Sequence, residues 1–391
     1  MPHDHQLERA IPATVVKTGS THDDPKKPEA GIALCLSGGG YRAMLFHLGA
    51  LWRLSELGYL TKMKRVSSVS GGSIVAGVLG LKWAKLGFDA KGIAANFNRE
   101  IVDPIRNLAS KTIDEGAIVG GIFTPGSIAD KVTGAYRKHL FGTATLQALP
   151  PDPPRFVINA TNVQSGALFR FSRPYIADYR LGRVNNPTVE LAVAVAASSA
   201  FPPVLSPLRM EFPRSAWTAS GETHEDLHRE PFLTEVVLTD GGVYDNLGLE
   251  TAWKRYDTIL VSNGGGKMSP EEEPKGDWAR HAIRINEVID NQVRSLRARQ
   301  VIGSYKAGER KGTYWGIRTD IADYGLVDAL ACPIQQTTIL AQTKTRLKRL
   351  DSLVQERLIN WGYAVCDAAM RRHVEKTAPR PAGFPYPNSG V

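Results

Sequence analysis

Two strand–turn–helix units follow one another near the start of this chain, and they constrain its fold more than any other feature. The apolar run GIALCLS (31–37) leads into Gly38-Gly39-Gly40, then into a helical pattern to about Leu57, where Gly58 supplies a stop. Met44, Leu48, Leu51 and Leu54 recur there at helical spacing. A second run, RVSSV (65–69), leads into Ser70-Gly71-Gly72 and the helical stretch SIVAGVLGLKWAKLG. Strand and helix in strict alternation predict a parallel α/β sheet. Ligands in such sheets gather beyond the carboxyl ends of the strands, so both turns stand where chemistry is expected.

Further strand-like runs occupy 156–163, 167–172, 236–239 and 258–262, with a helix expected over NPTVELAVAVAASS. Two long amphipathic helices are expected at roughly 278–307 and 335–375. Residues 1–30 and 377–391 are polar or Pro-rich and are expected to be poorly ordered. The 31–376 stretch shows no linker and reads as one catalytic domain with a helical C-terminal extension. Residues 103–127 read as a lid or a surface insertion, and 213–231 and 264–277 as long polar loops.

The longest apolar stretches, 74–81 and 191–205, are too short or too broken by Ser and Pro to span a membrane. The first residues lack a signal pattern. The expectation is a cytoplasmic protein that touches a membrane, if at all, from one side. Cys35, Cys332 and Cys366 are far apart and form no CxxC pair, which argues against a zinc site or a disulfide scaffold and suits a reducing compartment. No metal or cofactor is expected. The net charge of +9 and pI near 9.4 favour anionic partners, or serve solubility alone. No basic-aromatic module is present, so nucleic acid is not an expected partner.

Three constellations carry chemistry. Ser68-Val69-Ser70-Gly71-Gly72 sits between strand and helix, with Ser70 at the apex of a turn of the G-x-S-x-G kind. Small residues must flank that apex, and here Ser68 stands in for the first Gly. Ser37-Gly38-Gly39-Gly40-Tyr41-Arg42 places a run of backbone N–H groups at a helix start, a geometry for a phosphate or for a developing oxyanion. It fits neither G-x-x-x-x-G-K-[ST] nor G-x-G-x-x-G, which disfavours a nucleotide loop. Asp240-Gly241-Gly242 follows the apolar run VVLT, putting a carboxylate at a strand end. The plainer reading makes Asp240 a turn cap, although Asp245 and Asn246 are better placed to cap a helix near Leu247. His47, His281 and His373 all fall in helical stretches and suit packing or surface roles. With no obvious triad histidine, a Ser–Asp dyad follows, in which the carboxylate takes the serine proton directly.

Taken in order, SGGGYRA (37–43), SVSGG (68–72), ASSAFPP (197–203) and DGGVYDN (240–246) resemble the blocks of the patatin-like phospholipases, with some similarity to the cytosolic and fungal phospholipase branch. The resemblance covers roughly 31–265. It implies a three-layer α/β/α fold with a central, mostly parallel sheet, and a metal-free lipid acyl hydrolase. It implies Ser70 as nucleophile, Asp240 as base and the amides of Gly38, Gly39 and Gly40 as the oxyanion hole. Arg42 matches a basic position that holds the loop or meets an anionic headgroup. Ser68, Ser37 and Ala43 depart from residues common in the family and leave substrate preference open. The expected substrate is a phospholipid or related lipid ester. A carboxylesterase or thioesterase with the same dyad, and a non-catalytic anion- or lipid-binding module, are the rival readings.

For contact with a membrane surface, the candidates are Ile118–Phe123 and the basic positions Arg294, Arg297, Arg299, Lys344, Arg346, Lys348 and Arg349. Leu347, Leu350, Val354 and Leu358 supply an apolar stripe, so the favoured reading of these charges is the solvated side of core helices.

Overall fold

The computed structural model describes residues 28–114, 128–219 and 225–391. Ile118–Phe123 and most of the expected disordered N-terminal segment lie outside the described residues. The strands are β1 (Glu29–Leu36), β2 (Met63–Val69), β3 (Arg155–Asn162), β4 (Ala167–Phe171), β5 (Tyr175–Asp178), β6 (Gly182–Asn185), β7 (Leu208–Glu211), β8 (Trp217–Thr218), β9 (Glu235–Asp240), β10 (Tyr256–Asn263) and β11 (Lys311–Gly316). The principal helices are α1 (Gly40–Glu56), α2 (Gly71–Lys82), α3 (Leu191–Ser198), α4 (Trp278–Lys306) and α5 (Ser352–His373).

The strands form one mixed sheet in the order β11-β10-β1-β2-β3-β4-β5-β6-β8, with β9 added to β3 and β7 to β9. The half from β11 to β3 is parallel, as the alternating strands and helices of the sequence require. From β3 onward the pairings are antiparallel.

Alternation along β1 shows why this is a three-layer structure. Leu34 and Leu36 face a large core that includes Met44, Leu48, Leu51, Ile74 and Trp361. Ala33 and Cys35 face a second core with Leu247, Leu249, Ala252 and Val301. A strand buried on both faces reads as a continuous apolar run, which is what GIALCLS is. Helices α1, α2 and α5 cover the first face. The turns after β9 and the C-terminal end of α4 cover the second.

Two expectations for the C-terminal part change. The stretch 335–375 is not one helix but two, Ile334–Ala341 and α5. Between them the chain crosses the start of α1, where Tyr41 N–H donates to the Arg346 carbonyl. Leu350 N–H likewise donates to the Ala109 carbonyl rather than to a helical neighbour. The tail 377–391 is placed against α5 and α1. Asn360 Nδ2 donates to the carbonyls of Tyr386 and Gly390, Arg53 Nη2 to that of Pro379, and Val391 is buried. Proline content keeps the tail out of regular structure, and side chains from the helices satisfy its carbonyls instead. No helix among the described residues is long and apolar enough to cross a membrane.

Candidate active site

Strand β3 brings the two candidate catalytic side chains to one place. Its first half pairs with β2, ending at Val69 opposite Asn159. Its second half pairs on the same side with β9, where Asp240 lies opposite Ala160. β2 runs parallel to β3 and β9 antiparallel, so their carboxyl ends approach head to head along adjacent residues of one neighbour. Ser70 follows the end of β2, and Asp240 is the end of β9.

The turn at Ser70 is strained. Its backbone has φ 51° and ψ −119°, a region that costs a non-glycine residue about 1–3 kcal/mol. The carbonyl of Ser70 accepts from the N–H groups of Ser73 and Ile74, which starts α2. Gly71 is required by close approach: a Cβ there would stand 2.2 Å from the Gly40 carbonyl oxygen, because the two turns lie back to back.

Asp240 is fully buried beside this turn. Its Oδ1 accepts from Gly242 N–H at 2.6 Å, and its Oδ2 has no hydrogen-bond partner. Burial pushes the carboxyl up from 3.8 to about 7; the Gly242 amide and the nearby Ser70 hydroxyl pull it down, and Asp290 raises it. The hydroxyl is near enough to act electrostatically, but no hydrogen bond of normal geometry joins it to Oδ2.

The glycine turn divides its amides. Gly38 N–H donates to the Asn246 carbonyl at 3.0 Å, so it is already engaged. Among the described residues the N–H groups of Gly39 and Gly40 make no protein hydrogen bond. Gly40 adopts φ 61°, and a Cβ on it would meet the Arg346 backbone at 2.7 Å. Arg42 is buried; its Nε donates to the Gly264 carbonyl at 3.2 Å and its Nη1 to the Thr343 carbonyl at 2.5 Å. Its contacts are therefore those of a residue that ties the turn to two neighbouring segments.

His47 is a core residue beneath this turn. Its Nε2 donates to the Ser37 carbonyl at 2.9 Å, which leaves Nδ1 to accept from the Ser262 hydroxyl at 2.8 Å. Burial pushes it down to about 4, so it stays neutral. None of the described histidines hydrogen-bonds Ser70. Asp245 caps the turn that follows, accepting from Leu247 and Glu250 N–H, whereas Asn246 serves the glycine turn. The described residues contain no cluster of side chains suited to a metal ion.

With this geometry in place, a model of the patatin-like phospholipases matches residues 34–253, more than half of the chain and all four sequence blocks. The chain belongs to the patatin-like phospholipase family. No curated protein matches it. Similar solved structures include human GIVD cytosolic phospholipase A2 in complex with methyl gamma-linolenyl fluorophosphonate, at 14% identity and TM-score 0.48, covering 87% of this chain and 57% of that one. A second structure, of human GIVD cytosolic phospholipase A2, gives 13% identity and TM-score 0.37, over 63% of this chain and 49% of that one. VipD from Legionella pneumophila gives 15% identity and TM-score 0.34, over 88% of this chain and 67% of that one. The chain thus spans about half the length of the human phospholipase it matches. Likeness of this size carries no inference about chemistry.

In this patatin-like chain the ASSAFPP block has a role that motif reading alone did not assign. Ser198, at the end of α3, accepts from Ser70 N–H at 2.9 Å and donates to the Asn159 carbonyl at 2.6 Å. Its own carbonyl accepts from Gly241 N–H, and the next carbonyl but one, of Ala200, accepts from Asp240 N–H at 2.9 Å. One short segment therefore holds the backbone of both Ser70 and the Asp240 turn. The available signal was a pair of serines ending an apolar helix, where nothing local needs two hydroxyls.

Proposed function

We propose that this chain is a serine acyl hydrolase acting on phospholipid-like esters, with Ser70 as nucleophile and Asp240 as general base. The observation that supports it most is the head-to-head meeting of β2 and β9 on β3. It sets a hydroxyl on a strained turn beside a buried carboxyl with one free oxygen. A base pushed up to about 7 is matched to proton transfer at neutral pH.

Asp240 Oδ2 takes the Ser70 proton as Oγ bonds to the ester carbonyl carbon. The charge on the carbonyl oxygen is met by the N–H groups of Gly39 and Gly40, which are free to donate. Gly38, expected to share this task, instead braces the turn through Asn246. The carbon–oxygen bond to the leaving alcohol then breaks, and Asp240 returns the proton to that alcohol. Water attacks the acyl-serine, gives a proton to Asp240, and the fatty acid leaves as Ser70 regains its hydrogen. Arg42 keeps the glycine turn in register with the Gly264 and Thr343 segments.

The test is hydrolysis of phospholipid vesicles with product analysis, comparing wild type, Ser70→Ala and Asp240→Asn. Loss of fatty-acid release in both variants supports the dyad; undiminished release in either refutes it. Turnover of water-soluble esters with none of lipid would move the assignment to a carboxylesterase.

A further inference from the structure

Helix α4 is turned inside out relative to an ordinary surface helix. Of its 29 residues only Val301 and Ser304 are buried. Trp278, Ala282, Ile285, Ile289, Val293 and Leu296 lie within about 80° of one another at 100° per residue, a single stripe roughly 27 Å long. The side chains that bind α4 to the body, Arg294 and Val301, lie about 120–145° round the helix from that stripe. Arg294 Nη1 donates to the Gly266 carbonyl at 2.6 Å, and Arg297 pairs with Glu250 at 3.2 Å. The stripe therefore faces away from the protein, with Trp278 85% exposed, Ile289 55% and Leu296 51%. These arginines, candidates for a basic membrane face in the sequence, point inward; the outward face is apolar.

We infer that the outer face of α4 docks the protein on a phospholipid surface, and this inference rests on the lipid-hydrolase reading above. Three observations favour lipid over a second copy of the chain. First, the inner side of α4 holds the Gly264–Gly266 loop, whose Gly264 N–H donates to Ser37 Oγ at the glycine turn. A surface bound by α4 is thus brought beside Ser70. Two other exposed apolar side chains border the same site: Phe201 follows Ala200, the acceptor for Asp240 N–H, and Val243 follows the Asp240 turn. Second, every acidic side chain of the helix and its cap is paired: Asp277 with Arg280, Glu287 with Arg284, Asp290 with Arg294. No uncompensated carboxylate on the helix opposes anionic headgroups, and the chain as a whole carries +9. Third, a tryptophan at the end of an apolar helical face suits the water–lipid boundary.

The test uses the full chain with Ile285→Glu and Ile289→Glu combined, both at exposed positions that leave the core intact. Co-sedimentation with phosphatidylcholine–phosphatidylglycerol vesicles is measured in the Ser70→Ala background, so that substrate is not consumed. The account expects binding to weaken by on the order of a hundredfold, since each buried aliphatic side chain is worth at least about tenfold. Vesicle hydrolysis in the Ser70 background should fall in parallel, while a water-soluble short-chain ester is turned over unchanged. Vesicle binding that survives the double substitution overturns the inference. So does a wild-type dimer that the substitutions convert to monomer with no change in vesicle binding, which would assign the stripe to a second copy. If no ester of either kind is hydrolysed by wild type, the hydrolase reading fails separately, and the sedimentation result still reports on the surface.

Discussion

Replacing Asp240 with Asn should stabilise the protein, and should do so more at alkaline than at acid pH. The carboxyl is fully buried and pushed from 3.8 to about 7, chiefly by loss of water. Between these values the unfolded chain has released a proton that the folded chain retains, so stability falls as pH rises through the interval. Below about 4 the penalty is absent; above about 7 it is complete, at about 4 kcal/mol, from about 1.36 kcal/mol per pH unit. From the same relation, wild type loses about 2.5 kcal/mol between pH 5 and pH 8 through this group alone. Asparagine carries no such charge, can keep the Gly242 N–H bond, and contributes a constant offset. Other buried carboxyls, such as Asp178 and Asp245, are common to both proteins and cancel. Urea unfolding of wild type and Asp240→Asn at the two pH values reads the effect, with equal slopes confirming the same transition. The stability gap between the proteins should widen by about 2–3 kcal/mol from pH 5 to pH 8. A gap independent of pH, or one that narrows, refutes the argument that a desolvated carboxyl is held in reserve beside Ser70.

The same titration should govern catalysis: kcat/KM for lipid hydrolysis should rise with pH through about 7 and be lost below it, as a base that must be ionised requires. Ser198→Ala removes the acceptor for Ser70 N–H and the donor to Asn159, so kcat should fall by roughly 10–100-fold with KM little changed, and stability by about 1–3 kcal/mol. Gly71→Ala forces a methyl to 2.2 Å from the Gly40 oxygen and should cost about 3 kcal/mol, read as a lowered urea midpoint, together with activity. Away from the site, Asp367→Asn removes the carboxylate that Arg53 and Arg371 each meet at 2.8–2.9 Å; each arginine keeps a second one, Glu56 and Asp328, so the cost should be about 1.5–3 kcal/mol in the same assay, with kcat spared.

Four strands of the parallel half, β1, β2, β3 and β10, were legible from their largely apolar or β-branched runs bounded by turn residues, and their expected ends, like those of the antiparallel β9, fall within two residues of those observed; β11, with the sequence KGTYWG, was not read as a strand. The short strands β5, β6, β7 and β8 were not, since they have four residues or fewer and little apolar pattern. The break between residues 341 and 352 was hidden because its helical propensity is overridden by backbone bonds to Tyr41 and Ala109, distant partners that no local pattern announces. Ser70, Asp240 and the glycine turn were readable from their positions at strand ends. The occupation of Gly38 N–H was not, because its partner Asn246 is far away in the chain. The stripe of α4 was visible as helical periodicity, but periodicity does not say whether a face meets a core or solvent.

The proposed transfer of the Ser70 proton to Asp240 is tested most directly by covalent capture. Wild type and Asp240→Asn are treated with a fluorophosphonate over a range of pH, and the modified peptide is mapped and its rate of formation measured. The account predicts a label on Ser70 alone, formed faster as pH rises through about 7, and slowed on the order of a thousandfold by the Asn substitution. A label on another residue, or capture at Ser70 that is as fast without the carboxylate as with it, would contradict the account.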